Sequence, residues 1–189
     1  SGFQVLSVFL EIFFDRRWRE HITNAYVVEN IEATVERLAE QLGAGPFFLV
    51  ENVPLENVTS RGEPAEFVHH SAFGYCGGGP IELMEIVRLV PQRIEGRFSG
   101  ARPGVHHVAW AVPPASVEDL RRQLEYRGLP EYLSAQLGEL DVTFHDASAS
   151  LGHDIEIHVD SHGLRDFFQM VREGAEGWDG SEPLRPAAT

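Results

Sequence analysis

Two glutamates stand at matching positions in the two halves of this sequence. Glu82 and Glu156 are each flanked by two aliphatic residues, in the segments 81–83 and 155–157. Aliphatic neighbours on both sides predict that each glutamate lies on a strand and directs its carboxylate to one face of a sheet. A carboxylate fixed in this way can transfer a proton to or from carbon.

The segments that precede these glutamates also repeat. Residues 23–28, Thr-Asn-Ala-Tyr-Val-Val, lead into a predicted helix at Ile31–Leu42, and residues 107–112, His-Val-Ala-Trp-Ala-Val, lead into a predicted helix at 116–127. The N-caps predicted for these helices are Asn30 and Ser116. A period of roughly 80 residues is far too long for a solenoid and indicates two copies of one α+β module.

Strand alternation predicts which side chains face a cavity. In the predicted strand 105–112, His107 shares its face with Ala109 and Ala111, whereas the bulkier residues face the other way. The bulky face is suited to packing beneath helices, and the small face leaves a space into which His107 points. In the predicted strand 154–159 one face is entirely polar, which is typical of a strand that lines solvent or a polar pocket, and it carries Asp154, Glu156 and His158.

The remaining pattern divides the chain into five segments. Apolar residues with polar ones at helical spacing predict an amphipathic helix within residues 1–20. We predict a first module at 21–90, a linker at 91–103, a second module at 104–160, and a C-terminal helix and tail at 161–189. The apolar surface of this N-terminal segment must be shielded from water, and we predict that a second subunit of a homodimer covers it.

Composition excludes several classes of function. The net charge of −14 argues against nucleic acid and anionic membrane surfaces as partners. All 15 basic residues are arginine, so a lysine Schiff base is excluded. The single Cys76 permits neither an internal disulfide nor a thiolate metal cluster and fits a reducing compartment, which predicts a cytoplasmic location.

The order and spacing of these motifs resemble the vicinal-oxygen-chelate superfamily, which includes glyoxalase I, methylmalonyl-CoA epimerase, extradiol dioxygenases and bleomycin-resistance proteins. The resemblance covers residues 22 to 159 and rests on segments 26–28, 43–48, 81–83, 106–109 and 152–157. It implies an α+β fold of two paired βαβββ modules, whose sheet curls around a central cavity. It also implies a metal held by one residue from each of the first, fourth, fifth and eighth strands.

Carried over position by position, the resemblance implies the metal ligands Thr23, Glu82, His107 and Glu156. Thr23 is a poor ligand, and it stands where the family usually has His or Gln. His21 lies two residues earlier and, in a regular strand, on the same face, so it is a candidate substitute. One imidazole and two carboxylates favour Mg, Mn, Fe, Co or Ni over a structural zinc.

The function implied is a metal-dependent, glyoxalase-like lyase or isomerase/epimerase that moves a proton next to a carbonyl of a small oxygenated substrate. The predicted catalytic residues are Glu156 and Glu82. A non-catalytic binding or resistance protein on the same fold is the alternative, and a dioxygenase, disfavoured by the single imidazole, is the third. Candidate substrate-pocket residues are His21, His158, His69 and Arg61.

Overall fold

The computed structural model describes residues 20–91, 94, 96–98 and 104–187. Residues 1–19 of the predicted N-terminal helix and most of the predicted linker lie outside these residues, and Glu20 begins a strand. The helices are α1 Ile31–Leu42, α2 Pro114–Tyr126, α3 Ser148–Leu151 and α4 His162–Ala175. The strands are β1 Glu20–Val27, β2 Phe47–Val50, β3 Leu55–Ser60, β4 Glu63–Pro64, β5 Glu66–Cys76, β6 Gly79–Val90, β7 His107–Val112, β8 Glu131–Leu137, β9 Leu140–His145, β10 Asp154–Val159 and β11 Leu184–Pro186.

All eleven strands belong to one sheet with the order β11-β2-β5-β6-β1-β7-β10-β9-β8-β3-β4. The first copy supplies the run β2-β5-β6-β1 and the second supplies β7-β10-β9-β8. The two runs meet where β1 pairs antiparallel with β7, and each of these strands pairs parallel with the last strand of its own copy. The chain therefore has the paired βαβββ fold that its resemblance to the vicinal-oxygen-chelate superfamily implies.

The connection between β2 and β3 shows that this sheet curls. The two strands stand eight places apart in the sheet, which in a flat sheet is roughly 38 Å. Only residues 51–54 join them, and that segment spans at most about 18 Å. The sheet must bend until its two ends approach each other, and its concave side then encloses a cavity.

The helices pack where the strand faces predict. Helix α2 packs on the bulky face of the second module, against Val112, Ile155 and Ile157. Helix α1 begins at the predicted cap, because the Asn30 side chain accepts a hydrogen bond from the Ala33 amide. The small face of β7 is covered in part by α4, which packs on Ala109 and Ala111.

Several predicted elements are wrong. Ser116 does not cap α2, since that helix begins at Pro114, whose fixed φ suits the first helical turn. The hairpin β3–β4 and the short helix α3 were not expected. The tail, for which no strand is predicted, contains β11, which pairs parallel with β2.

No helix within the described ranges is long and apolar enough to cross a membrane. The homodimer and the cytoplasmic location stay predictions.

Candidate metal site and cavity

Three buried side chains from three strands of the sheet converge on one point. Glu82 comes from β6, His107 from the start of β7 and Glu156 from β10. Ala25 of β1 is the cross-strand partner of both Glu82 and His107. Because alanine projects only a methyl group between them, the two longer side chains can meet above β1.

The ligand atoms of these residues all lie within 4.8 Å of one another. Nε2 of His107 is 3.1 Å from one carboxylate oxygen of Glu156 and 3.7 Å from one of Glu82. His107 is fully buried and each glutamate is 6% exposed. One imidazole nitrogen and two carboxylate oxygens at these separations could hold a divalent cation.

The buried polar atoms at this point lack well-formed hydrogen bonds within the described residues. Nε2 of His107 and Oε2 of Glu156 lie 3.1 Å apart as an ion pair without hydrogen-bond geometry, and Oγ1 of Thr23 makes no hydrogen bond to any described residue. Buried polar atoms normally have partners. Atoms that meet at one point without forming such bonds fit the expected metal, with Thr23 beside it.

Neighbouring residues hold the three side chains in place. The Ser71 hydroxyl donates to Glu82 at 2.6 Å. Nδ1 of His107 is 2.9 Å from Nδ1 of His106, so one of the two rings donates to the other. Contacts of this kind orient metal ligands in known sites.

The imidazoles and carboxylates of this cluster favour each other's charged forms. Burial alone would lower the pKa of His107, but the carboxylates of Glu156 and Glu82 outweigh burial and raise it to about 10. His158 lies 3.1 Å from Glu156, and its pKa is also raised, since that carboxylate outweighs burial. The pKa of Glu156 is lowered in turn, because the two imidazoles outweigh burial. The site therefore favours positive charge beside its carboxylates, which a divalent cation would also supply.

The two carboxylates of the cluster, Glu82 and Glu156, line a cavity of about 950 Å³. Further polar side chains of the lining are Thr23, His69, Ser71 and His158, and this polar part of the lining is called the floor. The remaining lining, called the walls, is mostly apolar and comes from β2, β5, β8, β9 and α4. The cavity therefore combines acid–base groups with a mostly apolar wall.

Two of the four candidate pocket residues line this cavity. His158 does so beside Glu156. His69 does so stacked on Phe67, with ring centroids 4.3 Å apart, and burial lowers its pKa to about 4. His70 points away and accepts a hydrogen bond from the Asn52 amide.

The other two candidates lie elsewhere. A β-bulge between His21 and Thr23 places His21 opposite Trp110, on the outer face, with ring centroids 5.5 Å apart. The expectation that His21 shares the face of Thr23 is therefore wrong, since the bulge shifts the alternation by one residue. Arg61 is exposed in the turn between β3 and β4 and is not among the residues that line the cavity.

Sequence reasoning missed three residues at or near the site. Ser71 could have been found from alternation, since it shares a strand face with His69. Alternation predicts that His106 lies on the face opposite His107, and its Nδ1 is nevertheless 2.9 Å from Nδ1 of His107. Arg185 lines the cavity from β11, a strand that carries no clear sequence signal.

Comparison with known proteins identifies similar folds. No protein-family model matches the sequence, and no curated protein matches it. A solved methylmalonyl-CoA epimerase aligns with 76% of this chain and 97% of its own, at 17% identity and a TM-score of 0.47. The methylmalonyl-CoA epimerase from Mycobacterium tuberculosis aligns with 79% of this chain and 93% of its own, at 16% identity and a TM-score of 0.47.

A hypothetical protein from Bacillus halodurans C-125 aligns with 76% of this chain and 95% of its own, at 19% identity and a TM-score of 0.46. Similarity at this level does not transfer an activity, a substrate or a set of ligands.

Proposed function

We propose that this protein is a metal-dependent isomerase of the epimerase type, which removes a proton from the carbon next to a carbonyl and returns it. The observation that carries the proposal is the convergence of two carboxylates and one imidazole at a point where both carboxylates line a cavity. The ligands are Glu82, His107 and Glu156, with Thr23 contributing weakly or through water. A bound divalent cation would supply Lewis-acid stabilisation of the negative charge that develops on the carbonyl oxygen.

Glu156 is the proposed base, and it would act when the substrate's oxygens displace its carboxylate from the cation, because a metal-bound carboxylate is too weakly basic to take a proton from carbon. Its carboxylate takes the proton from carbon, and the electron pair of the broken bond moves toward the carbonyl oxygen. His158 lies 3.1 Å from Glu156, and its side chain is 18% exposed. It can therefore hold the freed carboxylate in position and exchange its proton with solvent.

Glu82 is the proposed second acid–base group. It approaches the same point from the other module, and Ser71 fixes its orientation. Glu82 would carry a proton taken from solvent and deliver it to the opposite face of the carbon, while the proton held by Glu156 leaves to solvent through His158. Protonation of the opposite face is what epimerisation requires. A glyoxalase-like lyase or isomerase would use the same first step and would differ in its product.

Exchange of a substrate proton with deuterated solvent tests this proposal. The Mn²⁺-loaded protein is incubated in D₂O with a panel of 2-hydroxy acids, 2-oxo acids and acyl thioesters, and loss of the α-proton signal is followed by NMR. We expect exchange in at least one compound, its loss in Glu156→Gln, and retained binding of that compound. Full exchange in Glu156→Gln would move the base to Glu82.

A non-catalytic binding protein is the second candidate. It is favoured by Thr23, which offers only a hydroxyl at a usual ligand position, and by His107 and His158, which each lie 3.1 Å from Glu156 and stabilise its carboxylate without a cation. Binding without α-proton exchange, across the whole panel, would support this function and contradict the first.

A further inference from the structure

The walls of the cavity differ in polarity from its floor. Away from the floor, the charged side chains in the lining are Glu51 and Arg185. The guanidinium of Arg185 already donates to the backbone carbonyls of Glu182 and Ser181. Most of the remaining wall is aliphatic or aromatic, including Leu49, Leu140, Val142 and Phe144.

Three phenylalanines form one side of this apolar wall. The ring of Phe73 on β5 is perpendicular to those of Phe167 and Phe168 on α4, with centroids 5.1 Å and 5.8 Å away. The rings of Phe167 and Phe168 also meet edge to face, at 5.4 Å. Rings arranged in this way offer both faces and edges to a further ring.

The position of this aromatic wall is fixed by the core. Leu164 and Phe168 of α4 pack on Ile22, Ala109 and Ala111. Val171, one turn further along α4, is fully buried. The helix therefore fills the space above the small face of β7 and leaves the cavity open between the aromatic wall and strands β2, β8 and β9.

A small hydrophilic substrate does not suit this space. At about 950 Å³ the cavity lies near the upper end of the range, about 300–1,000 Å³, of sites for drug-sized ligands. A substrate of a few polar atoms would occupy the floor and leave the apolar walls in contact with water, which is unfavourable. An apolar group attached to the reacting end would displace that water.

We infer that the substrate carries a large apolar group, aryl or medium-chain alkyl, on the carbon chain that bears the reactive carbonyl. The inference rests on the proposed function for the orientation of the substrate. The oxygenated end lies on the floor at Glu82 and Glu156, and the apolar group lies against Phe73 and the two phenylalanines of α4.

Three 2-hydroxy acids with the same oxygenated end test this inference, namely lactate, mandelate and 2-hydroxyoctanoate. Each is titrated calorimetrically into the full-length protein loaded with Mn²⁺. Burying a phenyl or hexyl group against the walls should make mandelate and 2-hydroxyoctanoate bind at least about tenfold more tightly than lactate.

Two variants and one control locate the apolar group. Leu140→Trp, at the start of β9, should fill the cavity and weaken binding of the two larger acids at least fivefold, with lactate unchanged. Phe73→Ala should reduce the preference for mandelate over lactate. Tyr126→Ala, at a position 92% exposed on α2, should change none of the affinities.

Equal affinities for the three acids, or binding of none of them, would overturn the inferred substrate class while bound Mn²⁺ still supports the metal site. If the protein binds no Mn²⁺, the proposed function fails, and the same titrations of the metal-free protein decide the class of occupant. In the metal-free protein, tighter binding of the two larger acids would support the inferred apolar site, and equal binding of all three acids would overturn that site.

Discussion

Nε2 of His107 lies 3.1 Å from a carboxylate oxygen of Glu156, and neither side chain is more than 8% exposed. Two buried groups this close stabilise each other's charged forms. The metal-free protein therefore keeps a proton on His107 at neutral pH, and a cation that binds there must displace it.

This displaced proton makes metal affinity depend on pH. The raised pKa of His107, about 10, means that the imidazole stays protonated throughout the neutral range. Apparent affinity for Mn²⁺ should then rise about tenfold per pH unit from pH 6 to 8.5, since one proton is released per ion bound. Calorimetric titration at several pH values measures this slope. A plateau above pH 7.5, typical of an imidazole with an ordinary pKa, would contradict the prediction.

His106 should act as a positioning residue for His107. His106→Phe removes the ring nitrogen 2.9 Å from Nδ1 of His107 and retains a ring that can stack on Phe98. We expect metal affinity to fall about 10- to 100-fold, as for other residues that orient a ligand. His106→Asn, whose side-chain oxygen can accept a hydrogen bond from Nδ1, should retain most of the affinity. Equal loss in both variants would indicate a packing role instead.

Thr23 should contribute little to the affinity of the site for Mn²⁺. Its hydroxyl is buried and faces the cavity without a hydrogen-bond partner among the described residues. Thr23→Val should leave Mn²⁺ affinity within about twofold, whereas Thr23→His adds an imidazole ligand and should increase affinity at least tenfold. A large loss in Thr23→Val, measured by the same titration, would show that the hydroxyl is a true ligand.

Much of this site follows from strand alternation. The period of two in segments 105–112 and 154–159 correctly predicts that His107, Glu156 and His158 lie together, since both imidazoles are 3.1 Å from the carboxylate. It fails in β1, where the bulge between His21 and Thr23 reverses the face of His21. A bulge of this kind leaves no mark in the local sequence.

Strands that form only through long-range pairing could not be predicted from the local sequence. The hairpin β3–β4 pairs with β8 of the other copy, through Thr59 opposite Ser134. The strand β11 forms only because it pairs with β2. Neither segment has the alternating apolar pattern of an independent strand, so only the tertiary fold selects them.

Docking of α4 should depend on the absence of a side chain at Gly174. A Cβ there would lie 2.6 Å from Cζ of Phe48, whereas one at Gly163, in the same helix, would meet nothing within 4 Å. Gly174→Ala should therefore lower the free energy of unfolding by about 1–3 kcal/mol. Gly163→Ala should cause no loss, since alanine favours the helix. Urea unfolding of the two variants measures the difference, and equal stability would contradict the close packing of α4 on β2.

We propose that Glu82, His107 and Glu156 together hold a divalent cation. The most direct test is the Mn²⁺ stoichiometry and affinity of the wild-type protein beside those of His107→Ala, with His162→Ala, whose side chain is 91% exposed, as the control. We predict one ion per chain in the wild type and in His162→Ala, with affinity lost by at least 100-fold in His107→Ala. No bound ion in the wild type, or the same affinity in His107→Ala, would contradict the claim.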